Sequence, residues 1–182
     1  MEIILVSIIV AIASSIGGLI AIYTKKEIKQ YNKWIKYSEL FISSILAILM
    51  ITIYKAWTIS FLVIGAIFTI SLSNFLLHIH LSRYIQTFLF GLALGIFFNI
   101  SRETALAFGA IVAVYNLIKG SMIGAHFIPK RKNIFKKIGN FQAIFILTAI
   151  VGYYFITAPV YQAATLNFAA GAVIATIFGS LR

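Results

Sequence analysis

Long apolar runs separated by short polar segments dominate the chain. A helix needs about 20 mostly apolar residues to cross the hydrocarbon core of a membrane. Charges and turn-forming residues divide the sequence into seven runs of about that length. They predict transmembrane helices at residues 3–23, 38–55, 58–78, 85–100, 104–125, 141–158 and 162–181. We therefore expect an all-α integral membrane protein of about seven transmembrane helices, forming a single polytopic membrane domain over residues 1–182.

Composition supports this class and excludes others. Hydrophobic residues make up 62% of the chain and charged residues 10%, against about 45–50% and about 25% in soluble domains. The net charge of +11 comes with too little polar surface for nucleic acid, so we expect no such partner. The chain has no Cys, and its four acidic residues are all Glu. Carboxylate and thiolate chemistry therefore has few groups to use, and we predict no enzyme and no cofactor.

Basic residues predict the orientation of the chain in the cell membrane. Most of them fall near residues 24–37 and 126–140, which we expect to be cytoplasmic loops. The positive-inside rule then places the N-terminus outside and the C-terminus in the cytoplasm of a multi-pass protein. Attraction to anionic lipids is an alternative role for these loops. The first run lacks the basic start and the small-residue site of a cleaved signal, so we expect it to be a retained helix.

Two ten-residue segments share a pattern that helix periodicity alone does not require. They are QTFLFGLALG at residues 86–95 and YNLIKGSMIG at residues 115–124. Each ends in Gly-x-x-x-Gly, formed by Gly91 and Gly95 in the first segment and by Gly120 and Gly124 in the second. Glycines four apart let another helix backbone approach closely in a bilayer. The glycines by themselves therefore predict tight helix packing.

The two segments together resemble the fourth and fifth helices of the ZIP family of divalent metal transporters, which carry variants of H-N-x-P-E-G-L-A-x-G. Segments 16–19, 43–46 and 167–174 resemble other helices of that family. The resemblance implies a ZIP-like bundle in which spans two, four, five and seven meet around Tyr115 and Lys119. It also implies an eighth helix, which has no counterpart here.

The departures from the family motif fall on the metal ligands. Gln86 and Thr87 take the places of His and Asn in the first segment, and Phe90 takes that of Glu. In the second segment Tyr115 replaces His and Lys119 replaces Glu, while Asn116 is retained. An ammonium group repels a divalent cation in a poorly screened medium. The resemblance therefore implies a metal site whose usual ligands have been replaced.

Lys119 is the most informative single residue, since cations within membrane spans are rare and often functional. One interpretation is that its ammonium replaces the metal and pairs with Glu39, the acid that enters the membrane at comparable depth. The alternative is that Lys119 extends to the cytoplasmic interface. We expect Tyr115 to support the ammonium or simply to pack, and Gln86 and Asn116 to form hydrogen bonds between helices.

Two histidines, His78 and His80, are weak metal candidates, because two imidazoles alone do not complete a zinc site. The sequence thus predicts a ZIP-like membrane transport protein, a divergent homologue of divalent metal transporters. The alternatives are a non-transporting membrane subunit or regulator of a competent transporter, or a transporter of a different solute. The expected partners are the lipid bilayer and either a second copy of the chain or a competent transporter subunit.

Overall fold

Helices form nearly all of the part of the chain that the structure describes. The computed structural model describes residues 1–53, 59–75, 82–127 and 131–181. Within these ranges there are eight helices and no strand. They are α1 (Glu2–Tyr23), α2 (Lys25–Gln30), α3 (Asn32–Ile53), α4 (Ile59–Phe75), α5 (Ser82–Ile100), α6 (Arg102–Phe127), α7 (Arg131–Phe155) and α8 (Pro159–Leu181).

The basic segments that we expected to be loops are largely helical. Residues 25–30 form α2, and α3 begins at Asn32, six residues before the apolar run that predicted it. Likewise α7 begins at Arg131, ten residues before the predicted span. The physical reason is that Lys and Arg are good helix formers, and residues 24–53 contain neither Gly nor Pro to end a helix. Charge therefore marks where the apolar run ends, while the helix continues beyond it.

Some helix ends have local signals that the structure makes visible. Ser101 precedes α6, and its Oγ accepts a hydrogen bond from the Thr104 backbone N–H at 3.4 Å, with Glu103 in the first turn. Pro159 begins α8, at the helical position where its missing N–H is not needed. Asn99 at the end of α5 donates to the carbonyl oxygen of Tyr153 near the end of α7, at 2.8 Å. The ends of α5 and α7 are thereby fixed side by side.

The long helices form two groups. In the first, α6 packs on α1 and α5, and α7 packs on α1 and α5. In the second, α8 packs on α3 and α4. The groups meet where α3 contacts α6 and where α5 contacts α8. The candidate residues of the two segments thus lie on α5 and α6, beside the boundary between the groups.

Three helix pairs share one reciprocal glycine contact, which we call the glycine clasp. In each, a Cβ on a glycine would overlap a carbonyl oxygen of the partner helix. A second glycine lies on the partner helix, three residues after the residue that supplies this carbonyl. It contacts in turn the carbonyl oxygen of the residue three positions before the first glycine. The contacts are Gly17 with Leu117 and Gly120 with Ser14 for α1 and α6, Gly95 with Ala149 and Gly152 with Leu92 for α5 and α7, and Gly65 with Phe168 and Gly171 with Leu62 for α4 and α8. Such close backbones gain van der Waals contact and weak Cα–H···O bonds.

The helices have the length and surface expected for a bilayer. Among the described residues, five helices are long and apolar enough to cross a membrane, at Glu2–Tyr23, Asn32–Thr52, Arg102–Ala125, Lys136–Phe155 and Pro159–Phe178. Two shorter apolar helices are Ser60–Ser71 and Tyr84–Ile100. Large apolar side chains such as Leu5, Ile9 and Phe41 are more than half exposed. Such a surface is unfavourable in water and favourable in lipid, so the molecule has the form of an all-α, multi-pass membrane protein.

Candidate functional site

A buried ion pair joins the two helix groups. The Lys119 ammonium on α6 donates a hydrogen bond to Oε1 of Glu39 on α3. Only 9% and 11% of the two side chains are exposed, so Lys119 does not extend to the interface as the alternative interpretation required. The predicted partner of Lys119 is therefore confirmed. Each charge replaces the other's lost hydration, and the pair as a whole is neutral.

A chain of hydrogen bonds begins one helical turn from Lys119. The fully buried Tyr115 hydroxyl donates to Oε1 of Gln86 on α5 at 2.6 Å. Gln86 Nε2 donates in turn to the Thr176 hydroxyl on α8 at 2.6 Å. The Thr176 hydroxyl donates a hydrogen bond to the Val173 carbonyl oxygen at 2.7 Å. Side chains from spans two, four, five and seven of the prediction therefore lie close together, in an ion pair and a neighbouring hydrogen-bond chain that we together call the polar network.

The ring of Tyr115 is held in place by its neighbours. Phe90 on α5 contacts it edge to face, with ring centroids 4.9 Å apart and an interplanar angle of 84°. The Lys119 ammonium lies 5.7 Å from the centroid of the same ring, within the range of a cation–π interaction. Tyr115 thus contributes to the ammonium's environment as well as to packing. Phe90 occupies the position where the family resemblance would place a metal-binding Glu.

Asn116 joins α6 to α1. Its Nδ2 donates to the carbonyl oxygen of Val10 at 3.1 Å, so the predicted hydrogen bonds between helices are confirmed for both Gln86 and Asn116. Within the described part of the chain, Asn116 Oδ1 has no hydrogen-bond partner, and neither do the buried hydroxyls of Thr87 and Ser43. Thr87 is fully buried beside Gln86 but takes no part in the network.

The glycines of the two segments pack as predicted, but on different helices. Gly91 and Gly95 face backbone atoms of α7, whereas Gly120 faces the Ser14 backbone of α1. A Cβ at Gly124 would lie 2.9 Å from the carbonyl oxygen of Gly18, also on α1. The two segments therefore do not pack glycine to glycine. Each segment turns its glycines toward a helix of its own group, while Gln86 and Lys119 bond across the boundary between the groups.

Several polar residues that connect helices were not predicted from the sequence, and Thr176 and Gln142 are two of them. Thr176 ends the hydrogen-bond chain, but a threonine in an apolar run usually bonds only its own helix, so its type gave no signal. Gln142 on α7 donates to the carbonyl oxygen of Ala11 at 3.0 Å and to the Ser15 hydroxyl at 2.6 Å. An amide within the sixth apolar run was a usable signal, because amides inside membranes seek partners.

The histidine candidates are not tested by the structure. His78 and His80 lie outside the described residues. Among the residues that the structure does describe, no group of three or more His, Cys, Asp or Glu side chains comes together. The charged centre is instead a single carboxylate facing an ammonium, with amide, phenol and hydroxyl groups beside it.

Comparisons with known proteins add no relative. No protein-family model, no curated protein and no solved structure matches the chain. Support for a function therefore comes from the geometry of the site and from the sequence resemblance.

Proposed function

We propose that the chain is a ZIP-like membrane transport protein in which an internal ion pair replaces the usual divalent metal. The observation that carries this proposal is the buried Lys119–Glu39 pair. Its ammonium lies on the residue that the resemblance aligns with a metal-binding carboxylate. A tethered positive charge there compensates an acid within the membrane, as a bound cation does in a carboxylate site.

The arrangement of helices gives further support. The resemblance implies that spans two, four, five and seven surround the transport site. Helices α3, α5, α6 and α8 each contribute a side chain to the polar network, through Glu39, Gln86, Tyr115 and Thr176. Because Lys119 compensates Glu39, a free divalent cation would meet a neutral pair instead of an acidic site. Any cargo is therefore expected to differ from zinc or cadmium bound at this centre.

A non-transporting subunit or regulator of a competent transporter is the second candidate function. The observation in its favour is that Lys119, Glu39, Tyr115 and Gln86 all bond to one another or to Thr176. Such a network is satisfied without a solute, and opening it has a cost for each separated group. A purified homo-oligomer that carries solute across a vesicle membrane would contradict this candidate.

The test is metal flux and binding in proteoliposomes that contain the purified chain. The wild type is compared with Tyr115→His/Lys119→Glu and with empty vesicles. In the variant, an imidazole and a second carboxylate would join Glu39, which supplies three ligand groups suited to zinc. The control variant, Tyr115→Asn/Lys119→Gln, removes the phenol and the ammonium without adding a strong ligand.

We expect no saturable zinc or cadmium flux through the wild type, and zinc binding in the first variant but not in the control. Saturable wild-type flux would mean that the metal uses other ligands, and it would contradict the replaced site. A folded first variant without zinc binding would contradict the ZIP-like placement of the three positions. Folding is checked for every variant by size-exclusion chromatography before reconstitution.

A further inference from the structure

An apolar cavity of about 340 Å³ lies between α4, α5, α7 and α8. It is distinct from the polar network, because α5 turns Ile85 and Leu89 toward the cavity while Gln86 faces Tyr115. Phe168 and Ala172 of α8 line the opposite wall. The cavity thus occupies the boundary between the two helix groups, at the level of the middle of α8.

The described lining is unfavourable for water and polar solutes. Among the lining residues that the structure describes, Thr69 and Tyr84 carry a hydroxyl group. The Thr69 hydroxyl donates to the Gly65 carbonyl oxygen of its own helix at 2.9 Å, so its proton is already used. An ordered water needs two to four polar partners, and apolar cavities without them stay dry.

The cavity opens sideways toward the medium around the helices. Phe68 and Phe88 line it and are also 54% and 45% exposed. For helices within a bilayer that medium is hydrocarbon. An empty apolar space of this size would forfeit the dispersion contacts of its whole lining. Hydrocarbon entering the cavity would restore those contacts.

We propose that this cavity binds part of one acyl chain of a membrane phospholipid. Its volume is at the low end of ligand sites, which run from about 300 to 1,000 Å³, so it holds a chain segment and no headgroup. Tyr84, at the start of α5, is half-buried at one end of the cavity. Tyrosines of this kind favour the membrane interface, so the chain enters from the leaflet at the Ser82 end of α5.

A bound chain would contact both helix groups beside the polar network. Ala172 lies one helical turn before Thr176, which accepts the hydrogen bond from Gln86. Ile85 and Leu89 lie on either side of Gln86 along α5. The acyl chain therefore fills the space next to the hydrogen bond that joins α5 to α8, and its removal would leave that boundary underpacked.

The test uses the full chain in vesicles of phosphatidylcholine and phosphatidylglycerol. A trace of the phosphatidylcholine carries a photoactivatable diazirine in the middle of one acyl chain. After irradiation, covalent adducts are located by mass spectrometry of peptides. Lipids around the protein label exposed side chains everywhere, but Leu89 and Ala172 are only 4% and 1% exposed. Adducts on these two residues therefore report a chain inside the cavity.

The matched variants are Ala172→Phe, which fills the cavity, and Ala110→Phe, the same change at an exposed position of α6. Ile144→Trp fills the space from α7 and serves if Ala172→Phe does not fold. We expect adducts at Leu89 in the wild type and in Ala110→Phe. Filling the cavity should lower them at least about tenfold, equivalent to about 1.4 kcal/mol of binding free energy.

Three results would overturn the proposal. The first is labelling confined to exposed residues in the wild type. The second is equal labelling of Leu89 in a folded cavity-filling variant. The third is a cavity that retains residual detergent instead of phospholipid. In that case the wild type would carry no photo-adducts, and native mass spectra would show bound detergent.

Discussion

Loss of one partner from the Lys119–Glu39 pair should destabilise the protein strongly. In Lys119→Met the Glu39 carboxylate stays about nine-tenths buried without its ammonium. Leaving one charge of a buried pair uncompensated costs about 3–5 kcal/mol. Because the side chain of Met is similar in length to that of Lys, packing around Tyr115 should change little. The free energy of unfolding is measured by SDS titration in mixed micelles.

The double variant Lys119→Met/Glu39→Gln separates the charge from the packing. Replacing both partners of a buried pair is often close to neutral, so the double variant should recover most of the loss of Lys119→Met. The chain supplies its own control in the Glu2–Arg102 pair, whose atoms are 3.3 Å apart and whose side chains are 62% and 68% exposed. Arg102→Met should cost about 0–1 kcal/mol, as exposed pairs do.

A cost for Lys119→Met no greater than that for Arg102→Met would contradict this prediction. A double variant as unstable as the two single changes added together would contradict it too, because the two groups would then contribute independently. In either case the pair would not be the feature that joins α3 to α6.

Two further predictions concern packing and hydrogen bonding. Gly120→Ala should destabilise the protein by about 1–3 kcal/mol, because the added methyl group overlaps a carbonyl oxygen of α1. The control is Gly139→Ala, where a Cβ meets no atom within 4 Å, and it should be neutral or stabilising. Equal losses of unfolding free energy in the two variants on SDS titration would contradict the clasp. Tyr115→Phe should cost about 0.6–1.7 kcal/mol by leaving Gln86 without its donor. The exposed Tyr154→Phe should change nothing, and a similar cost for both would show that the buried hydroxyl contributes no stability.

Much of the polar centre was predictable because membrane interiors contain so few polar groups. Glu39 was the one acid expected within reach of Lys119, so elimination named the partner for the case in which Lys119 stays inside the membrane and does not extend to the interface. The hydrogen bonds of Gln86 and Asn116 followed from the cost of an unpaired amide in hydrocarbon. Thr176 did not follow, because a hydroxyl within a helix can always bond its own backbone.

Helix partners were harder to predict than helices. The apolar runs located the long helices, yet they missed the helical start of α7 because its first ten residues are polar enough to lie outside hydrocarbon. Gly95 and Gly120 predicted close packing, but a glycine carries no information about which backbone approaches it. That α5 pairs with α7 and α6 with α1 depends on the whole bundle. The matching clasp of α4 with α8 had no signal in the two ten-residue segments.

The glycine clasps divide the molecule into stiff and adjustable parts. Helices α1 with α6, α5 with α7, and α4 with α8 are each joined backbone to backbone, so each pair resists sliding or rotation. Helix α3 contains no glycine, and the side chains of Glu39 and Lys119 join it to α6. Side-chain contacts can exchange rotamers where backbone contacts cannot. Any rearrangement is therefore expected to move α3 relative to the three helix pairs that are held by glycine clasps. Such a movement would first separate Glu39 from Lys119.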